Sequence, residues 1–176
     1  MSEESKIEHL IREYLLDEGI LREKVKDPKI EFGFQFIFPP NPPMNKIMFV
    51  IKPKNRDLII ITIGTQISDP HINALNSLNT NKKMQFFMDL RKFFLLKDVY
   101  FRISIDKYRY EISDQVFLKK DGSISKNVFF NSIRKVFNSA AYSNIILEEY
   151  CSEKIKIEDF TKAKEFTSGT DFSLYS

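Results

Sequence analysis

The order of strand-like and helix-like segments predicts an α+β fold, a twisted antiparallel sheet of about five strands with helices packed on it. The first observation is a group of three strand-like segments, at residues 30–38, 45–52 and 57–67. The second is a pair of further strand-like segments at 98–106 and 108–118. The third is that amphipathic helical segments precede, separate and follow these groups. The predicted order is α-β-β-β-α-β-β-α.

A first helix is predicted over residues 5–18. Ser5 and Glu8 have the spacing of a capping box, in which each side chain binds a backbone N–H group of the other residue. Gly19 stands where a left-handed residue ends a helix. The apolar residues recur at helical spacing and form one stripe that faces the core, namely Ile7, Leu10, Ile11, Tyr14 and Leu15.

The first predicted strand alternates strictly between phenylalanine and other residues, which is typical of a strand with one buried face. Its phenylalanines are Phe32, Phe34, Phe36 and Phe38. The proline-rich segment 39–43 ends it, because proline donates no hydrogen bond to a neighbouring strand. Residues 53–56 have turn composition and predict an antiparallel hairpin between the next two strands. The charged segment 20–29 before the first strand is predicted to be a loop.

Asp69 and Pro70 are typical of a helix start. A short helix to about Leu78 and a longer one to about Leu96 are predicted, with a polar break at 79–82 between them. The last helix is predicted over 126–151. We expect residues 1–151 to form a single α+β domain and 152–176 to be a loosely held tail.

Composition favours a cytoplasmic protein. The chain has 176 residues, of which 43% are hydrophobic, enough for an ordered core. Its single cysteine, Cys151, excludes an internal disulfide and indicates a reducing compartment. The polar N-terminus is unlike a signal peptide, and every apolar run is too short to span a membrane.

The net charge of +3 is small, but residues 31–147 hold 17 basic and nine acidic residues, a net of +8 (17 − 9). This asymmetry gives an alternative function, nucleic-acid binding through phosphates by the basic segment 46–109. Solvated lysines are the simpler interpretation. The candidate contacts are Lys46, Lys52, Lys54, Arg56, Lys82 and Lys83.

No motif indicates catalysis, a metal or a cofactor. His71 lies near Asp69 but lacks further ligands at a defined spacing, and the other histidine, His9, belongs to a different element. Nothing in the sequence beside Cys151 lowers the pKa of a thiol. The glycine-rich patterns that bind phosphates are absent from the sequence. We therefore predict that the protein is not an enzyme and binds no cofactor.

The second and third strands are apolar on both faces, whereas one layer of helices covers only one face of a sheet. The other face is then an exposed patch that binds a partner. Alternatively, a helix or the tail of the same chain covers it. The sequence does not decide which alternate residues face the core. The predicted partner-binding residues are Met48, Val50, Leu58 and Ile60.

Residues 5–151 resemble the type III secretion chaperone-like fold and a family of uncharacterised archaeal proteins thought to share it. The matching stretches are the phenylalanine-rich strand before Pro39-Pro40, the segment 67–71 and the Asp121-Gly122 turn. For secretion chaperones, the resemblance implies a small homodimer that holds an extended segment of a client protein. We therefore predict a non-enzymatic, chaperone-like module that binds a protein or peptide, acts as a homodimer and does not enter membranes.

Overall fold

A computed structural model of the protein describes residues 5–152. Its four helices are α1 (Lys6–Asp17), α2 (Asp69–Ser77), α3 (Thr80–Leu96) and α4 (Lys126–Cys151). Its strands are β1 (Leu21–Val25), β2 (Ile30–Phe38), β3 (Lys46–Pro53), β4 (Leu58–Gln66), β5 (Tyr100–Ser104) and β6 (Arg109–Phe117). The tail predicted at 152–176 lies, except for Ser152, outside the described residues.

The strands form one antiparallel sheet of six strands in the order β1-β2-β3-β4-β6-β5. The prediction of an α+β protein with an antiparallel sheet is confirmed, but the number of strands was wrong. The strand that the sequence did not reveal is β1, within the segment predicted to be a loop. Its three central residues are charged and exposed, because β1 is an edge strand that contributes few side chains to the core.

Local signals place the helices. The Ser5 side chain accepts a hydrogen bond from the Glu8 backbone N–H, and Gly19 has a φ of 67°, as the predicted cap and helix end require. Helix α4 has the predicted bounds, with Ser125 as its cap. The start of α2 differs from expectation, since Ser68 precedes its first residue and Asp69 is already helical.

One face of the sheet packs against the helices, and we call it the covered face. The four phenylalanines of β2 lie on it with Met48, Val50, Ile59, Ile61 and Ile112 of the neighbouring strands. Helix residues such as Leu15, Leu90 and Phe129 fill the other side of this core. All four described helices contribute to it, which leaves the opposite face of the sheet without a helix from residues 5–152.

Candidate functional site

The opposite face, which we call the open face, is largely apolar from β2 to β4. Its cross-strand rows follow from the pairing of the strands. One row runs Val25, Gly33, Ile51, Ile60 and Gln115, and the next runs Gln35, Phe49, Thr62, Ser113 and Tyr100. The apolar residues of the open face include Val25, Ile30, Ile37, Ile47, Phe49, Ile51, Leu58, Ile60, Phe117 and Tyr100.

A second apolar cluster forms at the β2–β3 part of this face. The register of β2 shifts between Ile30 and Phe32, which brings Ile30 to the open face. Gly33 makes room for it, because a Cβ atom at this position would lie 3.0 Å from Ile30 Cδ1 and 3.2 Å from Val25 Cβ. Ile30 therefore packs with Phe49 and Ile51. This cluster contains only strand residues, in contrast to the core on the covered face.

The four residues predicted to form a partner-binding patch do not share a face. Met48 and Val50 lie on the covered face and are fully buried in the helix-packed core, so the expectation that they are exposed was wrong. Leu58 and Ile60 lie on the open face, at 6% and 4% exposure. The physical reason is the register, since Val50 pairs with Ile61 and Ile51 with Ile60. Partner binding by these residues remains a prediction.

Accessible apolar side chains lie towards the β6–β5 side of the open face. Phe117 is 73% exposed and pairs with Leu58, so it continues the apolar rows of β3 and β4. Tyr100 is 57% exposed, at the start of the edge strand β5. The sequence analysis did not include either residue in the predicted partner-binding set. The sequence contains the relevant pattern. In its own strand, each of the two residues stands at a position that alternates with the residues of the covered face, which predicts that it lies on the other face.

Polar side chains between these apolar residues bind one another. The Thr62 hydroxyl donates to Glu111 Oε1 at 3.0 Å and to the backbone oxygen of Ile112 at 3.1 Å. Thr62 is fully buried although it lies at the centre of the open face. These bonds satisfy the buried hydroxyl of Thr62 at the centre of the open face.

The basic residues proposed for nucleic acid do not form one surface. Lys52 is buried, donates to the backbone oxygen of Arg56 at 2.7 Å and lies 2.9 Å from Glu31. Lys46 is partly buried, and this burial lowers its pKa. Lys83 binds Asn76 at the opposite end of β4 from Lys52, about 30 Å away by the rise of a nine-residue strand. Nucleic-acid binding by segment 46–109 remains a prediction.

Both ends of this basic set include exposed side chains. Lys54 and Arg56 lie in the turn between β3 and β4, where Lys54 donates to the backbone oxygen of Pro28 at 2.7 Å. Lys82 is exposed in the first turn of α3. A nucleic acid that contacted both groups would have to cross the full length of the sheet.

His71 connects the start of α2 to the last turns of α4. Its Nδ1 lies 2.7 Å from the Ser68 hydroxyl, and its Nε2 lies 2.9 Å from Glu148 Oε1. A hydroxyl, an imidazole and a carboxylate in series resemble an activated nucleophile. Catalysis also needs a cleft that holds a substrate beside the hydroxyl. Neither of the two clefts described next contains these three side chains, whose contacts join the start of α2 to the last turns of α4.

One cleft of about 430 Å³ lies between the start of β5 and α4 and contains Asp98, Asp114 and Lys135. Asp114 accepts hydrogen bonds from Ser132 at 2.7 Å and from Lys135 at 3.1 Å. A second cleft of about 410 Å³ contains Lys126, which pairs with Glu18 at 2.9 Å. In both clefts these charged groups neutralise one another, as in structural ion pairs.

Cys151 is fully buried at the end of α4, where its Sγ lies 3.8 Å from the backbone oxygen of His71. Burial, with a smaller contribution from Glu148, raises the pKa of this thiol to about 11. A protonated thiol is a poor nucleophile and a poor metal ligand. Within residues 5–152, no group of three or more His, Cys, Asp or Glu side chains is arranged to hold a metal ion.

Fold and site together define an α+β protein whose six-stranded antiparallel sheet carries helices on one face and apolar residues on both. Residues 7–147 match a family described as "Uncharacterized conserved protein (DUF2299)". This match covers well over half of the chain, and the protein belongs to this family.

A solved structure has the same fold. It is the crystal structure of an uncharacterized protein from Methanothermobacter thermautotrophicus, with a TM-score of 0.72 and 23% sequence identity. The alignment covers 81% of the present chain and 97% of the other. A search of curated proteins found no match. In the described part of the chain, no helix has the length and hydrophobicity needed to span a bilayer.

Proposed function

We propose that the protein is a non-enzymatic binding module that holds an extended apolar segment of a protein partner on the open face, in the manner of a chaperone. The single observation that supports this most strongly is the composition of that face. Its apolar rows continue from buried Ile51, Ile60 and Leu58 to the exposed side chain of Phe117. Apolar surface of this kind, with polar residues beside it, is typical of protein interaction sites.

The two edges of the sheet favour β5 as the place where a strand is added. The edge strand β1 presents Arg22, Glu23 and Lys24 in succession, and its register with β2 shifts after Leu21. Charges and irregular register are common protections against pairing with another chain. In contrast, β5 pairs regularly with β6 and carries Arg102 as its one charged residue. Among residues 5–152, no strand lies beyond β5.

We propose further that the protein acts as a homodimer and that the open face and the β5 edge form its interface. Strand addition supplies backbone hydrogen bonds, and the apolar side chains of alternate residues supply the selectivity. The resemblance of the sequence to the type III secretion chaperone-like fold suggests the same mode of action, by analogy of architecture alone.

Static light scattering and binding of a permanently reduced, unfolded model protein test this function. The chain of 20.8 kDa should have the mass of a dimer and should bind the model protein. Phe117→Lys places a charge at the exposed end of the apolar rows and should raise the Kd of dimerisation and the Kd for the model protein at least tenfold. Leu16→Lys is the matched control, because Leu16 is an exposed apolar residue of α1 on the other side of the molecule.

A monomeric protein that binds no unfolded chain would reject the proposal. Equal losses of dimerisation and binding in Phe117→Lys and Leu16→Lys would also reject it, since an added charge at any exposed apolar position would then weaken both. A short RNA or DNA oligonucleotide in the same assay tests the alternative function. Binding that weakens steeply with salt would favour nucleic acid over an apolar partner.

A further inference from the structure

Helix α3 carries an apolar row on its solvent side that the core does not use. Met84, Met88 and Leu95 are between 42% and 69% exposed. In a helix of about 3.6 residues per turn, these three side chains lie within about 40° of one another. They therefore form one continuous row, which we call the outer stripe. Exposed apolar surface of this kind is a candidate contact for a partner.

The contacts of α3 place the outer stripe beside the β5 edge of the sheet. Phe93 stacks on Tyr142 of α4, with the ring centroids 4.5 Å apart, and lies on the side of α3 opposite the stripe. Phe94 points to the sheet, with its ring 5.4 Å from that of Phe101 in β5. Helix α4 packs on β4 and β6, and β5 is the outermost strand beyond β6. The stripe therefore faces away from the domain, on the covered-face side of this edge.

The outer stripe has the length of one short strand. It extends about 16 Å from Met84 to Leu95, and β5, with five residues, is about 17 Å long. Alternate residues of a strand added to β5 would point to the covered-face side, where the stripe lies. Methionine side chains are flexible and polarisable, so they adapt to different apolar residues. The stripe therefore favours apolar residues at every second position of an added segment.

The remaining residues of an added strand would point to the open-face side, where β5 is basic. Arg102 lies there, since it pairs with Glu111 in the row of Gly64. Arg102 is exposed, and Glu111 accepts a hydrogen bond from Thr62 instead. Among residues 5–152, Arg102 forms no ion pair, and neither does Arg91, an exposed residue next to the outer stripe. Basic side chains without an acidic partner favour acidic residues in a segment that binds beside them.

The acidic residues nearest to β5 in the sequence lie beyond its two ends. Asp98 precedes the strand and lies 3.7 Å from Lys135 Nζ. Asp106 follows the strand. The middle of the edge is therefore positively charged. Pairing of two β5 strands in a dimer would bring Arg91 and Arg102 of both copies together, so the charges favour an acidic segment over a second copy at this edge.

We propose that the β5 edge and the outer stripe together bind an extended segment of the partner in which apolar residues alternate with acidic residues. The segment adds to the sheet as a seventh strand, with its apolar residues on the outer stripe and its acidic residues beside Arg102. The proposal rests on the proposed function for strand addition at β5 and adds the chemistry of the partner. The edge also belongs to the proposed dimer interface, so the segment replaces the second copy there.

Fluorescence anisotropy with a short synthetic peptide that alternates valine and glutamate tests the charge of the site. Arg102→Glu should raise the Kd of this peptide about tenfold, because it replaces an attraction by a repulsion. Arg12→Glu reverses the charge of an exposed arginine of α1 and is the matched control, with a change of less than about twofold. A peptide with lysine in place of glutamate should bind Arg102→Glu more tightly than it binds the unaltered protein.

A second pair of variants tests the apolar contact. Met88→Gln keeps the length of the side chain and its helix propensity, and it should raise the Kd about threefold because it removes apolar contact area. Leu16→Gln is its matched control on α1, since Leu16 is 46% exposed and Met88 is 42% exposed, and it should leave the Kd unchanged. All four altered residues are exposed, so each variant should retain the circular dichroism of the unaltered protein.

Failure of the unaltered protein to bind the valine–glutamate peptide would overturn the proposal. Equal Kd values for Arg102→Glu and Arg12→Glu would do the same, since the charge of the edge would then play no part. Equal values for Met88→Gln and Leu16→Gln would remove the outer stripe from the site and overturn it as well. A bound peptide that leaves the ¹H–¹⁵N signals of β5 unchanged would lie elsewhere on the protein, which also contradicts the proposal.

The reduced model protein separates this inference from the proposed function. If it binds and Phe117→Lys weakens its binding, but the valine–glutamate peptide does not bind, the proposed function stands and the chemistry assigned to the segment is wrong. If the peptide binds at β5 and the protein neither dimerises nor binds the model protein, the site at the edge stands and the function of the open face is wrong. Light scattering with saturating peptide should show the mass of one chain, and a dimer that carries the peptide would overturn the replacement of the second copy.

Discussion

The two faces of the sheet bury similar side chains by different means. On the covered face, Val50 and Ile61 pack against residues of all four helices. On the open face, their immediate neighbours Ile51 and Ile60 are almost as inaccessible, but no described helix packs on them. Adjacent residues of one strand, such as Ile60 and Ile61, are therefore of the same chemical type. They differ in whether a described helix packs on them. Burial alone does not identify a residue as part of a fixed core.

The largest expected difference between the faces is for a buried charge. Met48→Lys should prevent folding, because Met48 is fully enclosed by the helix-packed core and an unpaired buried ammonium costs several kcal/mol or more. In contrast, Ile60→Lys should leave a folded protein, since no described helix lies over Ile60 and the lysine can extend its ammonium along the open face to water. Circular dichroism and a ¹H–¹⁵N spectrum of each variant show whether it is folded.

Equal effects of the two lysine variants would contradict the distinction between the faces. If both variants unfold, the open face is as closed as the core. If both fold, Met48 is not enclosed as its contacts indicate.

A smaller and more quantitative difference is expected for alanine. Ile61→Ala should lower the free energy of unfolding by about 2–5 kcal/mol, the usual range for a large aliphatic residue in a packed core. Ile60→Ala should cost about 1–2 kcal/mol, because no described helix packs on Ile60 and the side chains of neighbouring strands can close over the smaller residue. Urea denaturation of both variants measures the two values. The residues are adjacent in β4, so strand propensity is the same for both.

A ratio near one would show that Ile60 is packed as rigidly on the open face as Ile61 is on the covered face. A larger loss for Ile60→Ala than for Ile61→Ala would reverse the assignment of the faces.

The sequence predicted the positions of helices and strands better than it predicted which side chains lie on which face of the sheet. The reason is physical. Helix α4 was predicted with the observed bounds, because its cap Ser125 and its apolar period are local signals. Strand β1 was not recognised, since the charged sequence of an edge strand resembles a loop. The face of Met48 was undecided because both faces of β3 are apolar. Only the register with β2 and β4 fixes it, and register depends on contacts far apart in the sequence.

The candidate site was predictable in part for the same reason. An apolar face beyond a single helix layer was expected, and Leu58 and Ile60 lie on it. Phe49 and Ile51 were not chosen, because they have the opposite parity to Met48 and Val50. The exposure of Phe117 depends on its place near the edge of the sheet, which the strand order decides and the local sequence does not.

The smallest expected effect concerns the end of the helix layer, where α4 stops and segment 153–176 begins. Burial raises the pKa of Cys151 to about 11 from an unfolded value of 9.0. The folded state therefore favours the neutral thiol. The resulting stability is present below pH 9 and is lost as the pH rises towards 11. Cys151→Ser is the matched variant because its hydroxyl does not titrate in this range. The difference in unfolding free energy between the two proteins should shrink from pH 8 to pH 11.

Tyr150, whose pKa is raised to about 12 by burial and by its bond to Asp89, titrates in both proteins and cancels in this difference. A difference that does not vary with pH would mean that the thiol reaches water in the folded protein. The last turn of α4 would then be open to solvent. The helix layer would no longer close the covered face along its whole length, and the contrast between the two faces would be weaker at this end of the sheet.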